Sequence, residues 1–160
     1  MKKAIALILA LLCAFVFVSC GTEKKNSKTE VYTFSGKNGY FSVSNGIIVI
    51  NGEEEIFSGG ELKVLREKPF PDTTSFSTRF YIVNDGEKRT VLLCSVNDMT
   101  GGAVNISGDL GEISGENVIT EGKNLNADDF VNNLYFELRV RDSEGYEKTY
   151  EIPMNVEKVY

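Results

Sequence analysis

The chain has 160 residues, room for one domain with a real hydrophobic core. Its hydrophobic share of 42% and charged share of 25% are those of a globular protein. Histidine is absent, which excludes Ser-His-Asp and Cys-His catalysis, histidine acid/base work and histidine-ligated metals. Tryptophan is absent too, which removes the largest rigid platform for stacking a sugar. Lys2 and Lys3 are the only charges before Cys20, so the remainder carries 15 basic and 23 acidic residues, a net of −8. A domain of that charge repels nucleic acid and anionic membrane surfaces, and stays soluble.

The chain opens with Met1-Lys2-Lys3 and then runs apolar from Ala4 to Val18. That run is short for crossing a hydrocarbon core, which takes about 17–25 residues. Its length suits the hydrophobic region of a signal peptide. The run ends in Phe17-Val18-Ser19-Cys20, and Gly21 to Glu30 is polar without a hydrophobic residue. These residues resemble the lipobox of bacterial lipoproteins, in which branched and small residues precede an invariant cysteine. The resemblance covers residues 1–21. It implies a signal peptide over 1–19, cleavage before Cys20, and diacylglycerol on the Cys20 thiol. In that family the new amino group can be acylated as well. More than one chain is needed because a single acyl chain binds a membrane only marginally. The resemblance also implies an extracytoplasmic location on the cell membrane. Gly21 is not Asp, which in a two-membrane bacterium implies the outer membrane.

Cys13 leaves with the signal, so Cys94 is the one cysteine of the body. The domain is therefore expected to hold no internal disulfide. Residues 20–30 read as the lipidated cysteine and a flexible tether. Ten extended residues reach at most about 33–36 Å.

From Val31 the sequence alternates, with Gly, Asn and Asp as punctuation. Val31 to Phe34 is a first strand. Tyr40 to Ser44 and Ile47 to Ile50 flank Asn45-Gly46, a strong hairpin signal that would pair Val43 with Ile48 and Phe41 with Ile50. Asn51-Gly52 offers a second turn. As a two-residue turn it would pair Ile50 with Glu53 and Ile48 with Glu55, putting carboxylates on the buried face, so a longer loop through Glu53-Glu54-Glu55 is expected instead. Glu61 to Glu67 follows, with Leu62, Val64 and Leu65 as core candidates. Pro69 and Pro71 mark a loop. Phe76 to Asn84 and Glu87 to Val96 form a hairpin about Asp85-Gly86, pairing Phe80 with Val91 and Thr78 with Leu93. Cys94 is then expected to be a buried, inert thiol. Asn97 to Gly122 reads as short strands and turns. Asn126 to Val131 reads as a short helix capped by Asn126. Tyr135 to Arg141 places Phe136, Leu138 and Val140 inward and Glu137, Arg139 and Arg141 outward. Tyr146 to Val156 reads as one long strand with Tyr150, Ile152, Met154 and Val156 on the core face. Pro153 makes it, or its far half, an edge. The whole predicts an all-β, antiparallel, immunoglobulin-like β-sandwich over 31–160 with one short helix, or alternatively a small β-barrel.

Few residues point to chemistry. Glu53-Glu54-Glu55 could gather a hard cation but lacks the spacing of a calcium loop, so a solvated acidic loop is expected. Asn97, Asp98, Asp109 and Glu112 are explained by turn chemistry. Asp128 and Asp129 diverge on a helix and do not converge on one substrate. Tyr32, Tyr40, Tyr81, Tyr135, Tyr146 and Tyr150 could line a recognition surface or simply cover a sheet. No cofactor, metal or catalytic residue is implied. The expected function is a non-enzymatic binding or envelope-structural domain, with the membrane as partner through Cys20 and a protein or cell-wall polymer as a further one. The alternative is a carboxylate-dependent hydrolase of the cell envelope.

Overall fold

The alternation of apolar and polar residues becomes two antiparallel sheets that face each other across one core. The computed structural model describes residues 28–52, 54–66, 70, 72–98, 103–121 and 128–160. The expected signal peptide, Cys20 and the tether up to 27 lie outside the described residues. The fold is an all-β antiparallel sandwich with its own strand order, and neither sheet closes into a barrel.

The larger sheet is built on β1 (Thr29–Lys37) and β2 (Phe41–Asn51). Strand β1 begins two residues inside the stretch read as tether. Glu30 is held there by the Tyr32 hydroxyl, which donates to Oε2 at 2.7 Å, and by Lys158 at 2.5 Å. Lys158 and the Tyr32 hydroxyl hold the Glu30 carboxyl below its ordinary value.

Strand β2 runs straight through Asn45-Gly46, so the expected hairpin there does not form. It pairs instead with β3 (Glu54–Ser58) and β4 (Glu61–Val64) in one unbroken register, from Asn51 opposite Glu54 to Phe41 opposite Val64. With Asn51 opposite Glu54, the pairing is set one residue later than in the turn rejected from the sequence. That single step pairs Ile48 with Phe57, both fully buried. Asn45 adopts a left-handed φ of 60° and is the extra residue of a bulge against β1, where Phe34 faces Gly46 and Gly36 faces Val43. The Phe34 ring lies on Gly46, where any side chain would overlap it.

The irregularity crosses the sheet. Gly59-Gly60 interrupts β3/β4 opposite Asn45-Gly46. Leu110-Gly111 interrupts the next line, between β7 (Gly108–Asp109) and β8 (Glu112–Glu116). Gly59 N donates to Gly111 O and Leu110 N to Gly60 O, both at 2.9 Å, so the kink keeps its hydrogen bonds.

The second sheet has four strands in the order β10-β9-β5-β6: β5 (Thr73–Asn84), β6 (Glu87–Asn97), β9 (Leu134–Asp142) and β10 (Glu147–Pro153). The Asp85-Gly86 hairpin forms, with φ of 50° and 81° at the turn. Its register holds to Tyr81 opposite Thr90. Val91 then bulges, so Phe80 meets Leu92 and Thr78 meets Cys94, one residue off the expected pairs. Val91 and Leu92 are consecutive and both buried, which a bulge permits. Leu62 is buried as expected, but Val64 is half-buried and Leu65 exposed.

Tyr150, Ile152, Met154 and Val156 all face the core side, yet Tyr150 and Ile152 belong to one strand, Val156 to another, and Met154 lies between the two. The chain leaves the four-stranded sheet after Pro153 and enters the larger sheet as β11 (Asn155–Lys158) beside β1. Alternation survives the switch because both inner faces front the same core. Pro153 ends β10, the edge strand, as expected. The core is a chain of rings: Phe34 on Phe57 at 5.2 Å, Phe57 on Phe80 at 5.1 Å, Phe80 on Phe136 at 5.0 Å. Two come from each sheet, and Phe80 joins the layers by meeting both Phe57 and, at 5.4 Å, Phe34, contacts worth about 0.5–1.5 kcal/mol each beyond area burial. The short helix α1 (Asp128–Val131) buries Phe130 edge-on against Tyr32 at 4.9 Å. Its expected cap Asn126 lies outside the described residues.

Candidate functional site

The solvent-side face of the four-stranded sheet gathers aromatic and charged side chains. Phe80 and Ile82 point to the core, so Tyr81 between them points outward, yet it is fully buried. Its ring stacks on Tyr135 at 5.5 Å and 9°. The Arg79 guanidinium lies 5.0 Å from the ring centroid and the Lys88 ammonium 4.5 Å. Such cation–π contacts are worth about 0.5–2 kcal/mol, more as they are desolvated. Lys88 also bonds Glu151 at 2.7 Å, and Arg79 bonds Glu137 at 2.8 Å. Burial first, then the adjacent Glu151 carboxylate, push the Tyr81 phenol up to about 12. The Lys88 ammonium in turn lowers Glu151, so this pair stays ionised at neutral pH.

The same face continues as a shallow trough of about 430 Å³. Ser75, Ser77, Ser95 and Asn97 form its floor, because small polar residues pair across β5 and β6. Arg139 and Arg141 rise on one side, and Arg141 pairs with Glu147 at 2.9 Å. Hydroxyls, guanidinium groups and carboxylates alternate here. The surface can both donate to and accept from a polar ligand, and Tyr135 supplies a half-buried ring.

The residues singled out from the sequence do not converge. Glu54 is exposed and Glu53 lies outside the described residues. Glu55 is not part of a solvated acidic loop. It faces inward at 1% exposure and accepts from Ile119 N at 2.5 Å, Thr120 N at 3.0 Å and the Thr120 hydroxyl. Glu54, Glu55 and Glu116 border a cavity of about 450 Å³ on the larger sheet, but the Glu55 carboxylate is already taken by these donors. Asp109 accepts from Gly111 N at 2.6 Å, the turn chemistry expected of it. Asn97 borders the trough with Asp98, on the other sheet from Asp109 and Glu112. Among the described residues no three of His, Cys, Asp and Glu cluster as metal ligands would.

The tyrosines divide. Tyr32 is core, and Tyr40 and Tyr150 meet edge-on at 5.5 Å. Only Tyr81 and Tyr135 join the charged face. Cys94 is half-buried rather than buried, because β6 is an edge strand; its thiol contacts Leu110 O at 3.4 Å.

No family model, no curated protein and no solved structure matches this chain. The site therefore stands on its own geometry. Arg79, Lys88 and Glu151 were missed from the sequence. The outward phase of β5 and β9 carried the signal: Arg79-x-Tyr81 opposite Tyr135-x-Glu137-x-Arg139. Reading the outward phases of paired strands together would have found it.

Proposed function

We propose that the chain is a lipid-anchored extracytoplasmic bacterial lipoprotein whose β-domain binds a partner without catalysing a reaction. The anchor reading rests on Lys2-Lys3, the apolar run and Val18-Ser19-Cys20, followed by a polar stretch. Among the described residues no helix is long and apolar enough to cross a membrane. Cys20 is the lipid attachment site, and the membrane is a partner through it. Labelling cells with a clickable palmitate analogue should mark the wild type and leave Cys20→Ala unmarked. Equal labelling of both would end the anchor reading.

The binding surface is the outer face of the four-stranded sheet, and its partner is a protein or a cell-wall polymer. The observation that carries this is the Tyr81–Tyr135 stack enclosed by Arg79, Lys88, Glu137 and Glu151 on a solvent-side face. A photo-crosslinking residue at Ser77, in the trough, should yield adducts on intact cells. The same residue at Ile47, exposed on the outer face of the larger sheet, should not. Identical products from both positions would contradict the assignment.

A further inference from the structure

The contacts around Thr29, where β1 begins, define one end of the sandwich. Thr29 pairs with Asn51, and Asn51 with Glu54, where β2 turns into β3. Next to Glu54, the buried Glu55 accepts from Ile119 N and Thr120 N of the Asn117–Glu121 turn. From the other sheet, Arg89 donates to Ile119 O, and it stands three residues past the Asp85-Gly86 turn. The start of β1 and the Asp85-Gly86 hairpin therefore share a pole. Strand β5 runs toward this pole from the opposite one, with Thr73 facing Asp142 at the far end and Ile82 facing Leu134 at the near end. Ser75 and Ser77 thus place the trough on the half away from Thr29. From Asn84 back to Ser77 and Ser75 is about 23–31 Å of strand.

We infer that the domain stands on the membrane on the pole where β1 begins, so that the trough lies on its membrane-remote half and meets a partner that approaches from beyond the bilayer. The inference rests on the anchor reading at Cys20. Nine residues separate Cys20 from Thr29, a span of at most about 30–32 Å. The twelve residues of β5 alone measure about 40 Å. An inverted domain would have to lift Thr29 farther from the headgroups than that span allows. A domain lying on its side would press a body of net charge −8 along anionic headgroups, which repel it. The upright arrangement meets neither obstacle. It puts the trough out of reach of lipid headgroups and of proteins flush with the bilayer.

Energy transfer to the bilayer surface tests this. The lipidated full chain is placed on vesicles of phosphatidylcholine and phosphatidylglycerol whose headgroups carry an acceptor. A fluorescent amino acid replaces Glu87, beside the near pole, or Glu144, in the turn at the far one; both side chains are exposed. Transfer from position 87 should exceed that from position 144 by about threefold or more, since about 30–40 Å of strand separates them. Circular dichroism checks the fold, and positions Asn84 and Ser143 carry the test if either variant is not folded. Equal transfer from the two positions, or more from 144, on vesicles that hold the chain would overturn the inference and leave the anchor reading standing. A wild-type chain that does not stay with the vesicles would end the anchor reading, and this inference with it.

Discussion

Glu55→Ala is expected to lower stability by about 3–5 kcal/mol, read from urea unfolding, because the carboxylate serves three buried donors at once. Those donors belong to the turn Asn117–Glu121, which also carries the fully buried Ile119. From the opposite sheet Arg89 donates to Ile119 O and lies 3.6 Å from Glu121. One turn is thus held by a carboxylate of the larger sheet and a guanidinium of the smaller. Alanine would leave two backbone N–H groups without an acceptor, each costing about 1–3 kcal/mol, while the Thr120 hydroxyl keeps only the long contact to Asn117 Oδ1 at 3.5 Å. Glu55→Gln keeps the volume and one carbonyl oxygen and should lose about 1–2 kcal/mol. Hydrogen exchange gives the local readout: the Ile119 and Thr120 amides should lose protection before the strands do. A loss under about 0.5 kcal/mol for Glu55→Ala would mean that water replaces the carboxylate at no cost, and the clamp would have no structural weight.

The same residue shows where the sequence was legible and where it was not. Alternation located the strands well: Phe136, Leu138 and Val140 face inward, and the Asp85-Gly86 turn forms where its residues demand. The two-residue Asn51-Gly52 register, rejected because it buries carboxylates, does not form, yet Glu55 is buried in the register that does. The partners that make Glu55 tolerable lie 64 and 65 residues further along the chain, beyond any local pattern. The Asn45-Gly46 signal failed for a related reason. A left-handed Asn followed by Gly suits a hairpin turn, but it also suits a bulge, and only the register with β4 distinguishes them. The candidate site was half visible. Glu137, Arg139 and Arg141 were outward in the alternation, but Glu137 was expected to be exposed. It is 8% exposed because Arg79, from a strand 58 residues earlier, lies over it. Pairing order, which no single strand encodes, assembled the face.

Gly60→Ala is expected to cost about 3 kcal/mol or more, against about 1–2 kcal/mol for Gly86→Ala, in parallel thermal and urea unfolding. Both glycines have left-handed φ, 73° at Gly60 and 81° at Gly86, so both substitutions carry the backbone penalty of an L residue there. The surroundings differ. A methyl group on Gly86 would meet nothing within 4 Å. On Gly60 it would overlap the backbone carbonyl of Ser44 and crowd Asn45 and Gly46, the kinked part of β2. That backbone cannot retreat freely, since Ser44 is paired with Glu61 and Gly46 lies beneath the Phe34 ring. The difference between the two variants therefore isolates the close approach at the kink from the cost of the dihedral. If the kink sets the ring packing, Gly60→Ala should also change the near-ultraviolet dichroism of the aromatic core, whereas Gly86→Ala should leave it alone. Equal losses, with unchanged dichroism in both, would show that β2 and β3/β4 can straighten without disturbing Phe34, Phe57 and Phe80. The matched breaks at Asn45-Gly46, Gly59-Gly60 and Leu110-Gly111 would then be a consequence of the strand pairing rather than a condition for it.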